Sequence, residues 1–208
     1  TVTDINGNIS TATAVVTVFD SIKPTIVTKI DTLWLDTAGT VSFGFSNFNH
    51  GTYDNCAIAD SGSTTSTLNC ADTGLNTIVI YVADQSLNVD SANATLLILD
   101  TIKPTVITTN ITVNLDSSGD AVITAAQIDN GSLDNCAIDT IYLDNYDFTC
   151  SDVGSNTVTL TVTDVNGNVS NKTAIVTLVD TIKPTVVTKN NTIYLDISGS
   201  AIITEAQI

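Results

Sequence analysis

The sequence lacks the residues on which several functional classes depend. Its six basic residues are all lysine, it contains no methionine, and Trp34, His50 and Glu205 are the only residues of their types. The net charge is −16, and a phosphate-binding protein needs basic clusters that this chain does not have, so we exclude nucleic acid as a partner. With His50 as the only histidine, we find no Ser/His/Asp arrangement. We therefore predict that the protein is not an enzyme and that His50 is an exposed loop residue.

Long hydrophobic runs are also missing. No stretch of about 18 apolar residues occurs, so we expect no insertion into a membrane, and the sequence around Thr1 does not read as a signal peptide. Thr, Val and Ile are abundant instead and favour strands, while Asn, Asp and Gly favour turns. Because 43% of the residues are hydrophobic, a packed core is possible and the composition predicts an all-β protein.

An internal repeat with a period of about 80 residues organises the chain. The motif Ile-Lys-Pro-Thr begins at three positions with this spacing, Ile22, Ile102 and Ile182. The motif Asp-Asn-Cys-Ala-Ile begins at Asp54 and Asp134. The predicted segments are the C-terminal end of a preceding repeat (1–20), two complete repeats (21–100 and 101–180) and the N-terminal start of the next repeat (181–208). Because neither terminal fragment can bury a core alone, we expect the parent protein to continue in both directions.

The second complete repeat shows the expected local structure most clearly. Alternation with a period of two predicts a strand at Thr157–Asp164 with Val158, Leu160 and Val162 facing inward. Turn residues divide the repeat into about seven short strands, including Val169–Val179, with a short helical turn at Ala125–Ile128 and a loop at Ser151–Asn156. This number of strands in one repeat predicts a small antiparallel sandwich.

Three segments carry a resemblance to known repeats: Asp134–Cys136, Phe148–Gly154 and Thr157–Asn168. They resemble the hyalin repeat (HYR) family of Ig-like modules, and the Pro-Thr opening after each Val-Asp or Leu-Asp ending is similar to bacterial tandem Ig-like repeats. The arginine-free, Thr- and Asn-rich composition resembles giant Bacteroidota cell-surface adhesins of the SprB gliding-motility type, which use type IX secretion. The resemblance implies tandem Ig-like antiparallel β-sandwich repeats of about 80 residues at the bacterial cell surface.

The four cysteines form two pairs with the same spacing, one pair in each repeat: Cys56 with Cys70 and Cys136 with Cys150. Four cysteines allow three pairings, and the repeat favours the two disulfides that lie within repeats. Zinc is the alternative ligand. A tetrahedral zinc site needs further cysteine or histidine, and His50 is the only histidine available.

Acidic and amide residues crowd the predicted loops of the second repeat. In an Ig-like sandwich, the loop before the third strand and the last hairpin lie at the pole nearest the preceding domain. Oxygen ligands from several loops suit calcium, so we predict a calcium site formed by Asp100, Asp129, Asp134, Asp164, Asn166 and Asn168, with Asn130 and Asn135 near by. The alternative is that these residues only form turns.

A short motif predicts O-glycosylation. Bacteroidota of the kind that this sequence resembles modify Ser or Thr that follows Asp and precedes a small or aliphatic residue. The motif occurs at Ser21, Thr32, Thr37, Ser91, Thr101, Thr140 and Thr181. Chance is the alternative in a chain so rich in Asp and Thr, although glycans at strand ends would shield sheet edges from pairing.

The leading functional hypothesis is a stalk or spacer in a long extracellular filamentous adhesin used for surface attachment or gliding. The alternative is a subunit of a self-assembling extracellular filament or surface layer. The expected partners are neighbouring repeats, other copies of the filament, and an external surface or polysaccharide contacted by domains outside this chain. A carbohydrate-binding accessory domain ranks lower, because Trp34 alone does not make an aromatic platform.

Overall fold

The structure is a computed structural model that describes residues 1–207, so that Ile208 of the predicted segment 181–208 lies outside it. The chain forms two compact units. Unit 1 comprises Thr1–Val106, Gly131–Ile141 and Thr161–Asn171, and unit 2 comprises Ile107–Asn130, Tyr142–Leu160 and the described residues from Lys172 onward. The division does not follow the sequence repeats, because two loop regions of the second repeat belong to unit 1. The repeat boundaries therefore stay a prediction.

The first complete repeat follows a short hairpin formed by β1 (Val2–Thr3) and β2 (Ile9–Ser10). Its elements in chain order are β3 (Asp31–Trp34), β4 (Thr40–Ser42), α1 (Phe45–Phe48), β5 (Ile58–Ser63), β6 (Thr67–Asn69), a 3-10 turn (Cys70–Asp72), β7 (Gly74–Asp84) and β8 (Val89–Leu99). Four strands form one sheet in the order β3-β8-β7-β5, and β4 pairs with β6 in a second sheet. The β3–β8 pair is parallel, and the pairs β8–β7, β7–β5 and β4–β6 are antiparallel.

The core of this repeat lies between the two sheets. The buried side chains come from β7, β8, α1 and the flanking segments: Leu35, Phe43, Phe48, Ile78, Ile80, Ala94, Leu96 and Ile98. Phe43 and Phe48 meet edge to face with ring centroids 5.6 Å apart, a favoured aromatic geometry. Val41 of β4 and Leu68 of β6 pack against this cluster, so both sheets contribute to one sandwich core.

The second repeat has the same elements. They are β9 (Ile111–Asn114), β10 (Asp120–Val122), α2 (Ala125–Ile128), β11 (Ile138–Leu143), β12 (Asp147–Thr149), a 3-10 turn (Cys150–Asp152), β13 (Gly154–Asp164) and β14 (Val169–Val179). The sheet order is again β11-β13-β14-β9, with β10 and β12 paired separately. The buried hydrophobic residues of unit 2 include Leu115, Ile123, Ile128, Phe148, Leu160 and Leu178.

The predicted all-β sandwich class is confirmed. The bounds predicted for α2 and β14 are also confirmed, and Val158, Leu160 and Val162 are fully buried. The predicted Ser151–Asn156 loop is wrong in its second half, where β13 begins at Gly154. The Asn156 side chain donates to the Asp152 carbonyl (2.6 Å), which closes the turn early and leaves the following backbone free to pair.

Two smaller predictions concern exposure and membranes. His50 is exposed, as predicted. Within residues 1–207, none of the short helices has the length or the apolar character needed to cross a bilayer.

Aspartate carboxylates close the turns that join neighbouring strands. Between β9 and β10, Asp116 Oδ1 accepts hydrogen bonds from the backbone N–H groups of Ser118 (2.8 Å) and Asp120 (3.0 Å). Gly119 has φ +84° there, a conformation that favours glycine. The Asp120 backbone N–H, followed by that of Ser118, lowers the pKa of the Asp116 carboxyl below its ordinary value of 3.8, because these donors favour the ionised form.

This turn predicts a specific dependence of stability on pH. A carboxyl whose pKa is lower in the folded state stabilises the fold fully above pH 3.8, and this contribution is lost as the pH falls through the lower, folded value. We expect Asp116→Asn to reduce the loss of unfolding free energy between pH 7 and pH 2, measured by urea denaturation. The control Asp120→Asn removes the same charge from the other end of the turn. Equal pH dependence in both variants would contradict the prediction.

Candidate metal centre and disulfide at a repeat boundary

Three aspartates of unit 1 meet where the first repeat ends and the second begins. Asp100 follows β8, Asp134 precedes β11, and Asp164 ends β13. One carboxylate oxygen from each lies within 4.8 Å of the other two. Asp100 and Asp164 are buried, with 8% and 1% of their surface exposed, and Asp134 is half-buried.

Strand geometry explains why these charges are buried. Along β13, the inward positions Val158, Leu160 and Val162 are followed two residues later by Asp164. The inward positions of β8 likewise continue to Asp100. Since alternate residues of a strand face the same side, each aspartate occupies the next inward position after an apolar run.

Residues of the hairpin turn donate hydrogen bonds to both carboxylate oxygens of Asp164. Asp164 Oδ1 accepts the backbone N–H groups of Asn166 (2.9 Å) and Asn168 (2.8 Å), and Oδ2 accepts the Asn168 side-chain Nδ2 (2.8 Å). Asn168 Nδ2 also donates to the Asp100 carbonyl oxygen (3.3 Å). Asn168 thus connects the last hairpin of the second repeat with the end of the first.

Some of the other oxygens at this boundary accept hydrogen bonds, and others have no donor in the described part of the chain. Asp100 Oδ1 accepts the Ile102 backbone N–H (3.1 Å) and Asn135 Nδ2 (3.2 Å), and Asp134 Oδ2 accepts the Cys136 backbone N–H (2.9 Å). The buried oxygens Asp100 Oδ2, Asp134 Oδ1 and Asn135 Oδ1 find no hydrogen-bond partner in the described part of the chain. A buried polar atom without a partner is costly, and these oxygens could bind a cation.

A divalent cation fits these groups. Two like charges within 4.8 Å of each other repel each other by roughly 3 kcal/mol or more at an effective dielectric constant of about 20. A cation between the carboxylates would be attracted to each of them and would supply a partner to the three oxygens. Carboxylate and amide oxygens are the ligands that calcium prefers, and water or backbone oxygens complete its coordination.

The same arrangement occurs one repeat earlier, where the sequence prediction did not place a site. Asp20, Asp54 and Asp84 bring carboxylate oxygens within 4.8 Å of one another, and Asp20 Oδ2 and Asp54 Oδ1 are buried without a partner in the described residues. Each of the three lies one repeat step before its counterpart in the second repeat. The sequence repeat is therefore the signal that could have identified this second cluster.

The remaining predicted ligands lie elsewhere or have another role. Asp129 belongs to unit 2, where its N–H donates to the Ala125 carbonyl (2.8 Å) at the end of α2, and it is outside the carboxylate group. Asn130 is also in unit 2 and donates its N–H to Ile107 (2.8 Å). Asn166 is exposed and contributes a backbone donor to the hairpin.

The cysteine pairing differs from the prediction. Cys70 and Cys136 form a disulfide with Cα atoms 5.3 Å apart and a sequence separation of 66. Cys56 and Cys150 are free and exposed. The predicted bonds Cys56–Cys70 and Cys136–Cys150 within repeats are therefore wrong, and the observed bond crosses the boundary between repeats.

The length of β7 explains this pairing. Cys70 precedes the start of β7 at Gly74, whereas Ile58, two residues after Cys56, pairs with Asp84 at its other end. Eleven residues in a strand span roughly 35 Å, far more than the distance a disulfide can bridge. Cys136 instead packs beside Cys70 against the core of the first repeat. By the loop-entropy estimate, a closed loop of this size stabilises the fold by about 4 kcal/mol.

Cys56 lies beside the acidic cluster of the first repeat. Interaction with the Asp20 carboxylate, followed by burial and the charges of Asp20, Asp54 and Asp84, raises the pKa of the Cys56 thiol. The Asp20 pKa is lowered, first by the Ile22 backbone N–H and then by the Cys56 and Asn55 side chains. The thiol and the carboxylates thus share one environment at the start of this repeat.

The predicted glycosylation positions differ in exposure. Six of the hydroxyl residues are exposed: Ser21, Thr37, Ser91, Thr101, Thr140 and Thr181. Thr32 is half-buried and pairs with Leu97 in the four-stranded sheet. Glycosylation stays a prediction, and Thr32 is the position least accessible to a modifying enzyme.

No family model and no curated protein matches this sequence. Solved structures do match. Repeats EC1-2 of human mucin-like protocadherin are 11% identical with a TM-score of 0.36, covering 76% of this chain and 98% of that chain. Fibronectin(III)-like modules of Clostridium thermocellum CbhA are 10% identical with a TM-score of 0.31, covering 80% and 100%. Cadherin domains 1–4 of protocadherin gamma B7 are 9% identical with a TM-score of 0.35, covering 76% and 51%.

The role of Asn168 can be tested by truncation. We expect Asn168→Ala to lower the unfolding free energy by roughly 1–3 kcal/mol, because it removes two hydrogen bonds at a buried carboxylate and carbonyl. The matched control is Asn166→Ala, which keeps its backbone donor. Chemical denaturation followed by circular dichroism measures both variants. Similar stabilities for the two would show that the side chain of Asn168 does not connect the repeats.

Proposed function

We propose that this chain is a repeat segment of a long extracellular filamentous adhesin, in which it acts as a stalk or spacer for surface attachment or gliding. The disulfide between Cys70 and Cys136 carries this proposal, because it ties one repeat to the next. The connecting segment Asp100–Pro104 has almost no length, and Pro104 restricts its backbone. A spacer needs such restraint at each boundary in order to hold a distal domain away from the cell.

One property of the chain supports an extracellular location. Disulfides persist mainly in oxidising compartments, and this bond belongs to the fold rather than to a catalytic pair. The net charge of −16 would keep neighbouring filaments apart by repulsion. Type IX secretion and gliding rest on the sequence resemblance to SprB-type adhesins.

Calcium is part of the proposal. The ions would bind the clusters Asp100/Asp134/Asp164 and Asp20/Asp54/Asp84, with Asn135 Oδ1 as a further ligand at the first of them. The unpartnered buried oxygens support this assignment, and we expect affinities on the order of 10⁻⁴–10⁻³ M, as in other extracellular modules.

Calcium binding predicts a measurable stabilisation. A ligand that binds only the folded state at about ten times its dissociation constant stabilises that state by roughly 1.4 kcal/mol per site. We expect millimolar calcium to raise the thermal midpoint of the native chain, and titration calorimetry to give two sites. The double variant Asp54→Asn/Asp134→Asn should lose both effects.

The control for this experiment is Asp120→Asn/Asp147→Asn, which removes two exposed charges outside the clusters. It separates binding at a defined site from general screening of a negative surface. A calcium response that is the same in both double variants would refute the assignment.

The stalk role predicts how shape depends on the two restraints. We expect small-angle scattering to give an extended particle in calcium under oxidising conditions, and a smaller average radius of gyration after chelator and reductant are added together. A radius unchanged by both treatments would argue against a restrained spacer. A mass that grows with protein concentration would favour the alternative, a self-assembling filament subunit.

A further inference from the structure

The two free cysteines are the repeat counterparts of the two bonded ones. Cys150 occupies the position of Cys70 one repeat further along, and Cys56 occupies the position of Cys136 one repeat earlier. Within the described residues, Cys56 and Cys150 are unpaired and exposed, whereas Cys70 and Cys136 are half-buried. Each free thiol can therefore be compared directly with a thiol of the same repeat position that has a partner.

The surroundings of Cys150 match those of Cys70. Cys70 Sγ lies 3.5 Å from the Gly39 carbonyl oxygen, and Cys150 Sγ lies 3.5 Å from that of Gly119. Both glycines have positive φ, +72° and +84°, and a Cβ atom at either one would collide with the facing sulfur. The thiol that would receive a partner is thus held in the same way in both repeats.

The partner segment at the first boundary has well-defined contacts in unit 1. Asn135 Nδ2 donates to the Asp36 carbonyl (3.3 Å) and to Asp100 Oδ1 (3.2 Å), and the Asn135 carbonyl oxygen lies 3.5 Å from Cys70 Sγ. This carbonyl also lies over Gly39, at 2.6 Å from the position of an added Cβ. The Asn135-Cys136 segment therefore covers Asp36, Gly39, Cys70 and Asp100.

In unit 2, the counterparts of these four residues line an open cavity. Asp116, Gly119, Cys150 and Asp180, each one repeat step further along, surround a volume of about 380 Å³. Asp100 is 8% exposed under its cover, whereas Asp180 is exposed. The cavity thus has the composition of the surface that an Asp-Asn-Cys segment occupies at the first boundary.

The Asp-Asn-Cys segment makes similar contacts at Cys56, which is free, and at Cys136, which is bonded. In the first repeat the Cys56 N–H donates to Asp54 Oδ2 (2.8 Å) and Asn55 Nδ2 lies 3.3 Å from Cys56 Sγ. In the second repeat the corresponding distances are 2.9 Å to Asp134 and 3.5 Å to Cys136 Sγ. Cys56 and Asn55 also line an open cavity of about 300 Å³. The Asp-Asn-Cys segment makes the same two contacts with or without a bonded partner.

We propose that Cys150 and Cys56 are half-sites for disulfides to flanking repeats. Cys150 takes the first cysteine of a following repeat, presented by its Asp-Asn-Cys segment, and Cys56 takes the second cysteine of a preceding repeat. Every boundary of the array then carries one disulfide that crosses it. This inference rests on the proposed stalk function. It requires only that further repeats of this type flank the two described here.

The chemistry is a thiol–disulfide exchange with a small-molecule disulfide as oxidant. One thiolate attacks the oxidant, forms a mixed disulfide and releases one thiol of the oxidant. The second thiolate then attacks the protein sulfur of the mixed disulfide, forms the new S–S bond and releases the other thiol. Two thiols of the protein lose two electrons and two protons, and the oxidant is reduced to two thiols.

This connectivity would change how the array responds to force. Each bond closes a loop with a sequence separation of 66. The part of a repeat that lies outside these loops is therefore the segment between its own two cysteines. In the first repeat this segment runs from Cys56 to Cys70. An unfolded repeat would then contribute at most about 50 Å of extended chain instead of about 290 Å, at about 3.6 Å per residue.

The proposal can be tested by adding a repeat. A second copy of residues 101–180 inserted after Asp180 leaves both joins as Asp-Thr-Ile-Lys-Pro-Thr, as in the native chain. Cys56→Ser, together with Cys150→Ser in the second copy only, leaves four cysteines in this extended chain: Cys70, both copies of Cys136, and the first Cys150. After refolding with glutathione disulfide, we expect no free thiol and a Cys70–Cys136 link in the peptide map.

Other outcomes have distinct readouts. Bonds within repeats would give a Cys136–Cys150 link and no Cys70–Cys136 link, and this result would overturn the proposal. Two free thiols beside an intact Cys70–Cys136 link would show that Cys150 does not receive the following repeat. The native chain is the control, with two alkylatable thiols expected, Cys56 and Cys150, whereas none would be expected from bonds within repeats.

Single-molecule pulling gives a second measurement that does not depend on refolding yield. We expect the oxidised native chain to reach a contour length about 240 Å shorter than the reduced chain, because 66 residues are withheld at about 3.6 Å each. The deficit should double in the extended chain and vanish in native-length Cys136→Ser. A deficit that does not increase with the added repeat would overturn the proposal even if the stalk remains extended in scattering.

Discussion

The three-residue segment Asp134–Cys136 carries the contacts on which the repeat boundary depends. Its carboxylate joins the acidic cluster, its amide reaches the Asp36 carbonyl and the Asp100 carboxylate, and its sulfur bonds to Cys70. Because these residues are consecutive, the position of one short loop sets the charge cluster, the polar contacts and the covalent bond together. The last hairpin of the second repeat adds Asp164 to the cluster and a hydrogen bond from Asn168 to the Asp100 carbonyl.

In each repeat, the ends of the longest strands lie at a boundary and not in the core. The inward face of β7 runs from Ile78 through Val82 to Asp84, and β13 runs in the same way to Asp164. Apolar side chains stabilise the middle of the sandwich by burial, whereas an aspartate at the next inward position is unfavourable unless it is satisfied. The hairpin donors satisfy Asp84 and Asp164. Asp20 and Asp100 keep one oxygen each without a donor in the described residues, which is why the cluster can take a cation.

The sequence predicted the sandwich well because its signals are local. Alternation along 157–164 and the helical turn at Ala125–Ile128 each depend on neighbouring residues only. The aspartates were predicted to converge because hairpin and loop positions follow from that topology. Asp129 was misplaced, since the end of α2 was assumed to lie at the same pole as Asp134.

The disulfide could not be predicted in the same way. In a chain whose repeats keep an exact step, a bond between the two cysteines of one repeat and a bond between cysteines of successive repeats fit the same sequence pattern. Only the position of each cysteine relative to β7 decides between them. Ile58, two residues after Cys56, pairs with the Asp84 end of that strand, and Cys70 precedes the Gly74 end. The counterpart of β7 was predicted as the strand Thr157–Asp164, but the loops at its two ends were not assigned to opposite poles.

The boundary also has a direction. The Asp-Asn-Cys segment lies at one end of the long strand of each repeat, and the glycine-backed cysteine lies at the other. Two different surfaces therefore meet, so the contact is heterologous: it does not pair a surface with its own copy and does not close on itself. Such contacts generate open linear arrays when the rotation between copies does not close a ring. A cation in the acidic cluster would orient the two surfaces reversibly, and the disulfide would keep them from separating once they have met.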